Sequence, residues 1–290
     1  MDCEYVVLSG YLPMNTQNLI FSDTQRQIIE KIQVNIPFTM LVEEQWQNLF
    51  FNSGLNPEIG LAAEALDAFS LSDFKQFADQ FHNRNRSITI HGPFMDLSPG
   101  SPDAKIREVS TLRFKQLISA VPVFKAKTVV CHAGYDHTRY GFCKEKWLEN
   151  TIDTWKWLGR ELHERGTWLM LENVYETNPA ELLQVLEQLD PRHIGYCLDV
   201  GHLASFGKCP LDKWLNATGK YIGQLHLHDN HGDHDSHLGM GKGSINFDPL
   251  FEYIKHMTQK PVVTLEPHEP EDFIASLSYL EQSDFLSLFL

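Results

Sequence analysis

The sequence predicts a single α/β domain built as a closed (β/α)8 barrel. Three observations carry that expectation. Eight short runs rich in Val, Ile and Leu recur along 290 residues, as parallel strands buried on both faces do. Longer amphipathic stretches lie between them, and strands alternating with helices imply a parallel sheet. The later runs end in polar residues, and in a barrel the C-terminal strand ends form the face where chemistry is done.

Residues 1–30 precede the eight units as a short N-terminal extension, in which Tyr5–Ser9 reads as an extra strand or a plug at the barrel base; the barrel then takes residues 31–290. The first three runs are Lys31–Phe38 (KIQVNIPF), Pro57–Leu61 (PEIGL) and Ser87–His91 (SITIH). Asp103–Phe124 has apolar residues at helical spacing and leads into Thr128–His132 (TVVCH). Lys146–Arg165, with Trp147, Leu148, Trp155, Leu158 and Leu162, reads as the next helix and leads into Trp168–Glu172 (WLMLE). Pro179–Leu189 carries its proline near the first turn, where a missing N–H costs nothing, and precedes Ile194–Asp199 (IGYCLD). Ile222–His228 (IGQLHLH) is the seventh run, and Asp248–Met257 and Glu271–Leu280 are helices flanking the eighth, Pro261–Glu266 (PVVTLE). No low-complexity stretch or Pro/Gly/Ser linker divides the chain, so one domain is expected.

Composition excludes several classes. With 24 basic and 38 acidic side chains the formal charge is −14, which argues against a protein held to nucleic acid by bulk charge but leaves room for a local basic groove. No run approaches the roughly 18 apolar residues that cross a bilayer. The acidic start MDCEYVVLSG lacks the basic region of a signal peptide, and a cytoplasmic location is expected. Cys3, Cys131, Cys143, Cys197 and Cys209 are odd in number and form no C-x-x-C, so they read as reduced thiols. Other motifs fail: Gly239–Ser244 is glycine-rich without being a phosphate-binding loop, and no G-x-S-x-G elbow occurs. Of Trp147, Trp155, Trp157 and Trp168, most read as core.

Histidine is the unusual residue, at 14. His91, His132, Glu172, Asp199 and Glu266 each end a predicted strand, and His226 lies near the end of the seventh. Any one of these alone is more often structural; six on successive strands are hard to attribute to chance. Asp199-Val-Gly-His202 and Asp235-Ser-His237 add a carboxylate and an imidazole apiece. The nine residues supply five imidazoles, four carboxylates and no thiolate, a donor set suited to zinc, manganese, iron or cobalt. Nine donors exceed the needs of one ion, so two or three divalent ions per chain are expected, zinc or manganese first.

These motifs are ITIHGPF, VVCHAGY, LMLENV, YCLDVGHLAS, LHLHDNHGDHDSHLGMGKG and TLEPH. Through them residues 31–282 resemble the xylose-isomerase-like TIM-barrel superfamily, which holds endonuclease IV together with sugar-phosphate isomerases and epimerases. The resemblance implies three zinc ions on the nine positions in the endonuclease IV branch. In the isomerase branch it implies one divalent ion on the positions matching Glu172, Asp199, His226 and Glu266, with the two glutamates shuttling protons. Its D-x-H-L-x-x-G-x-G pattern, met by Asp235, His237, Leu238, Gly241 and Gly243, sets the register of the His-rich loop. Phe94 matches an aromatic of endonuclease IV. His228, on the strand face of His226, and His268, two residues after Glu266, are candidates to touch substrate with Phe94 and His202. His231, Asp233 and His234 read as solvated loop, and His137, His163, His193 and His256 as ordinary surface residues.

Two chemistries follow. One ion (+2) on Glu172, Asp199, His226 and Glu266 (−3) suits an α-hydroxy carbonyl: one glutamate removes a proton and the other returns it through an enediolate. Three ions (+6) on all nine donors (−4) make a cationic centre suited to phosphoester hydrolysis. The acidic chain and the loop Leu97–Lys105, which departs from the nuclease pattern, place first a metal-dependent isomerase or epimerase of a small sugar or sugar phosphate. The alternative is an endonuclease IV-like phosphoesterase, with nucleic acid as partner and Arg84, Arg86, Arg107, Arg113 and Lys115 as the nearby bases. A non-catalytic metal-binding barrel is the third reading, opposed by the intact pair Glu172 and Glu266.

Overall fold

Eight parallel strands close on themselves in sequence order, β1 (Ile32–Pro37), β2 (Pro57–Gly60), β3 (Thr89–His91), β4 (Thr128–His132), β5 (Trp168–Glu172), β6 (Ile194–Asp199), β7 (Ile222–Leu227) and β8 (Val262–Leu265). The computed structural model describes residues 19–289; Cys3 and the expected strand Tyr5–Ser9 lie outside them. Closure is made by β1 and β8, with Ile32 beside Val263 and Val34 beside Leu265. Every predicted run holds a strand, trimmed by one or two residues at some ends.

The helices are α1 (Asp23–Ile29), α2 (Phe38–Leu41), α3 (Glu44–Ser53), α4 (Ala63–Ala68), α5 (Leu71–His82), α6 (Ala104–Phe124), α7 (His137–Tyr140), α8 (Lys144–His163), α9 (Pro179–Leu186), α10 (Val200–Phe206), α11 (Leu211–Thr218), α12 (Asp248–Lys255) and α13 (Pro270–Gln282). Local signals fix their starts. Ser22 and Ser70 close capping boxes on α1 and α5. Asp103 caps α6, and Asn178 caps α9 ahead of Pro179. α9 is three residues shorter than its apolar spacing predicts, because Leu189 N–H turns back to Leu186 O in a tighter turn. Ahead of β1, α1 packs on α13: Phe21 meets Phe273 edge-on, and Ser22 Oγ donates to Glu281 Oε1 at 2.6 Å. None of the described helices is long and apolar enough to cross a membrane.

The two-residue period of the strands divides the core in two. Outward residues such as Ile90, Val129, Leu171, Leu198, Leu225 and Val263 join the large apolar cluster under the helices, with Trp147 and Trp155 buried in it. Inward residues are different. Val130, Met170 and Cys197 form a small apolar plug, and Glu58, Thr89, Thr128, Gln224 and Thr264 join side chain to side chain in a buried polar layer. The layer above that, at the C-terminal strand ends, is the predicted donor set.

Candidate metal centre

All nine predicted donors meet at the C-terminal mouth, and their contacts divide them into three sets. His91 Nε2 and His132 Nε2 lie 3.3 and 3.5 Å from Glu172 Oε2. His226 Nδ1 lies 3.2 Å from Glu172 Oε1, 3.1 Å from Glu266 Oε1 and 3.9 Å from Asp199 Oδ2. His202 Nε2 and His237 Nε2 lie 3.2 and 3.1 Å from Asp235 Oδ2. Glu172 thus turns Oε2 to the first set and Oε1 to the second, and Oε1 also lies 3.2 Å from His202 Nδ1. Most of these separations match roughly 3.3–3.4 Å, the edge of a tetrahedron whose centre is ~2.0–2.1 Å from each donor.

The hydrogen bonding is compatible with cations among these residues. His91 Nδ1 lies 3.0 Å from Gly92 O, His202 Nδ1 3.0 Å from Asn173 O, and His237 Nδ1 3.0 Å from Glu266 O. A carbonyl accepts only from N–H, so in the neutral ring Nδ1 carries the proton and the Nε2 lone pair points at a carboxylate. Two lone pairs facing each other repel unless a cation lies between them. Protons are the other cation that relieves this repulsion: the carboxylates raise His91, His202, His226 and His237, whereas burial holds His132 down at about 3. Asp235 Oδ1 is buried without a hydrogen-bond partner, a further acceptor left open. Burial works against ionising Glu172, but His226 and His132 hold its carboxyl well below the usual range. Burial pushes Glu266 up, and the Glu172 and Asp199 carboxylates push it further.

Local structure places each donor. Asp199 ends β6 and caps α10, accepting His202 N–H at 2.6 Å, so one turn fixes a carboxylate and an imidazole together. Asn173, which sequence reasoning passed over, ties β5 to β6: its amide donates to Asp199 O at 2.9 Å and accepts Asp199 N–H at 3.0 Å. Asp229 organises the His-rich loop. Its Oδ1 accepts from Asn230 and Ile245 N–H at 2.9 and 3.0 Å, and its Oδ2 from Gly241 and Gly243 N–H at 3.0 Å each. The glycines of the D-x-H-L-x-x-G-x-G pattern are needed here: Gly241 has φ +83°, and a Cβ on Gly243 would collide with Asp229. Glu58, also unforeseen, reaches His226 from β2 at 2.9 Å.

The candidate substrate contacts line the same mouth. Phe94 stacks on His132, 4.6 Å between centroids, and covers the first set. His228 lies near the third set, yet its ring is parallel to that of His237, 2° apart at 3.8 Å. One ion cannot lie in the plane of two stacked rings, so these two do not share one. His228 Nε2 instead faces Asp199 at 3.2 Å. His268 stacks on the other face of His237 at 4.1 Å, and burial together with His237 and His228 lowers it to about 4.

The chain belongs to the xylose isomerase-like TIM barrel family, whose model matches residues 52–283. It is 30% identical over 200 residues to an uncharacterised protein of Methanocaldococcus jannaschii, covering 67% of this chain and 76% of that one. It is 25% identical over 205 residues to a probable endonuclease 4 of Mesomycoplasma hyopneumoniae, covering 62% of this chain and 71% of the other. Among solved structures, a Thermus thermophilus protein soaked with ZnCl2 is 26% identical with TM-score 0.73, over 87% of this chain and 97% of that one. A D-tagatose 3-epimerase-like protein shares the fold at 22% identity and TM-score 0.74, over 89% and 98%.

Proposed function

We propose that this chain is a metal-dependent phosphoester hydrolase whose nine donors hold up to three divalent ions, zinc or manganese. The observation that carries the reading is the division of the donors into three sets, two of them joined through the two oxygens of Glu172. Ions bound there supply Lewis acidity and a nucleophile at neutral pH. The chain's residues do the rest. His91, His202 and His237 present Nε2 in a fixed tautomer because their Nδ1–H groups are committed to carbonyls. Phe94 stacks on the His132 ring and fixes its plane. Three ions against four carboxylates leave a cationic centre that attracts an anionic ester, while the net charge of −14 works against a long polyanion. The reading therefore takes a phosphoester as substrate class, with an abasic-site duplex as the sharpest member to assay. Free thiols, buried at Cys131 and Cys197, suit the reducing cytoplasm.

The second reading, isomerisation or epimerisation of a small sugar or sugar phosphate, is favoured by one pair of groups. Glu172 and Glu266 approach the same His226 nitrogen and are pushed in opposite directions, one toward the base and one toward the acid. In it Glu172 takes the α-proton, Glu266 delivers one, and His202 steadies a substrate oxygen.

Elemental analysis of metal-replete protein, nicking of an abasic-site duplex, hydrolysis of bis-p-nitrophenyl phosphate and solvent deuterium exchange into a ketose panel separate the two. Two or three ions with metal-dependent hydrolysis, lost in His132→Ala, is the expected result. One ion per chain, with exchange into a sugar that Glu266→Gln lowers by about 10²–10⁴-fold, would put the isomerase first.

A further inference from the structure

We infer that Glu58, on a strand that contributes none of the nine donors, is a positioning residue that sets which nitrogen His226 offers to an ion. The inference rests on reading Glu172, Asp199, His226 and Glu266 as a metal set. Glu58 is wholly buried one layer beneath them, where a barrel ordinarily keeps branched apolar side chains. A carboxylate there must be compensated, and the compensation is lopsided. Oε2 accepts from Thr89 Oγ1 at 2.9 Å, Thr264 Oγ1 at 3.0 Å and Gln224 Nε2 at 2.5 Å. Gln224 is itself oriented by Thr128, whose hydroxyl donates to Gln224 Oε1 at 2.6 Å, so its amide N–H faces Glu58. With Oε2 occupied, Oε1 is left for His226 Nε2 at 2.9 Å and a long contact of 3.4 Å from Asn35 Nδ2; the other neighbour of His226 Nε2, Gln224 Nε2, is farther at 3.4 Å.

An ionised carboxylate only accepts. With an ion among Nδ1, Glu172 and Glu266, His226 therefore carries its proton on Nε2 and offers Nδ1. His91, His202 and His237 have the reverse arrangement: a neutral backbone carbonyl holds Nδ1–H, and Nε2 is presented. His226 is the one of these four whose far nitrogen meets a carboxylate outside the donor set and no backbone carbonyl; His202 Nδ1 lies 3.2 Å from Glu172 Oε1 as well as 3.0 Å from Asn173 O. That makes its free nitrogen the more basic donor and adds one negative charge behind the central set. A purely structural buried network would need Glu58 to be satisfied but would not need it to select a tautomer.

The experiment loads metal-free wild type and Glu58→Gln with zinc and with cobalt, following stoichiometry and affinity by competition with a chelator. It also reads His226 by long-range ¹H–¹⁵N correlation, assigned with His226→Gln. In zinc-loaded wild type the proton is expected on Nε2 with Nδ1 bare; without metal, where Nδ1 also faces Glu172 and Glu266, both nitrogens are expected to carry one. Glu58→Gln is expected to keep the ion count while one site weakens about 10–100-fold, the other sites hold, and the cobalt visible band of that site moves. Equal affinities at every site with an unchanged tautomer would overturn the proposal and leave the metal reading standing. Wild type that takes up no ion would overturn both. Should Glu58→Gln not fold, Glu58→Asp, one methylene shorter, is expected to give the same selective weakening, and the tautomer of zinc-loaded wild type decides alone: a proton on Nδ1 with Nε2 bare overturns the assignment.

Discussion

His202 and His237 converge on one oxygen of Asp235, each with its far nitrogen tied to a carbonyl. Removing either ring leaves two donors where an ion needs at least three from the protein. His237→Ala is expected to lower the ion count by one without emptying the other two sets; elemental analysis checks it, and an unchanged count would remove the third set. The same residues predict a pH dependence. Burial disfavours protonating His91, His202 and His237, but Glu172, Asp199 and Asp235 outweigh it and raise these imidazoles. A protonated imidazole cannot bind an ion, so acidification weakens binding, and the raised values start that loss above the ordinary imidazole range of about 6.5. Zinc affinity is expected to fall from pH 8 to pH 6. His132, already held at about 3, contributes nothing to that fall.

At the scale of the element, the loop between β7 and α12 does most to complete the site. It carries Asp235 and His237, and its shape is drawn by one buried carboxylate, Asp229, that gathers four backbone N–H groups. A second anchor is α13: Asp272 accepts Gly239 N–H at 2.8 Å, and Ser276 accepts Met240 N–H at 3.0 Å. Gly243→Ala would press a methyl group on Asp229 and Asn230. The expected outcome is loss of the third ion with barrel secondary structure intact, read by metal content beside circular dichroism. Retention of three ions would show that the loop accommodates the methyl group.

For the whole molecule, the barrel gathers four carboxylates of the donor set and Glu58 behind them into one mouth, which only positive charge relieves. Ions that bind the folded chain and not the unfolded one stabilise it by about 4 kcal/mol per site at a thousandfold excess over Kd. Stripping them with a chelator is expected to lower Tm by on the order of 10 °C, restored by adding zinc. A Tm indifferent to chelator would remove the proposed centre.

Much of this was legible in the chain. Eight strands could be counted because buried parallel strands must be short and apolar, and the alternation with helices leaves few ways to arrange them. The donors could be found because strand ends are local features and the residue types are rare there. Helix α5 escaped, although Phe74, Phe77, Ala78 and Phe81 repeat at helical spacing and Ser70 caps it. Glu58 was also in view, a lone carboxylate in an apolar run, but nothing local says that it meets Gln224 and His226 across the barrel. Only closure decides which inward residues become neighbours, because partners such as Glu58 and Thr264 are 206 positions apart. The sequence by itself determined the barrel and singled out the candidate donors. The tertiary structure decided which candidate donors lie together, which carbonyls fix the rings of His91, His202 and His237, and that His228 stacks on His237, since lone-pair directions and ring planes exist only once the strands are closed.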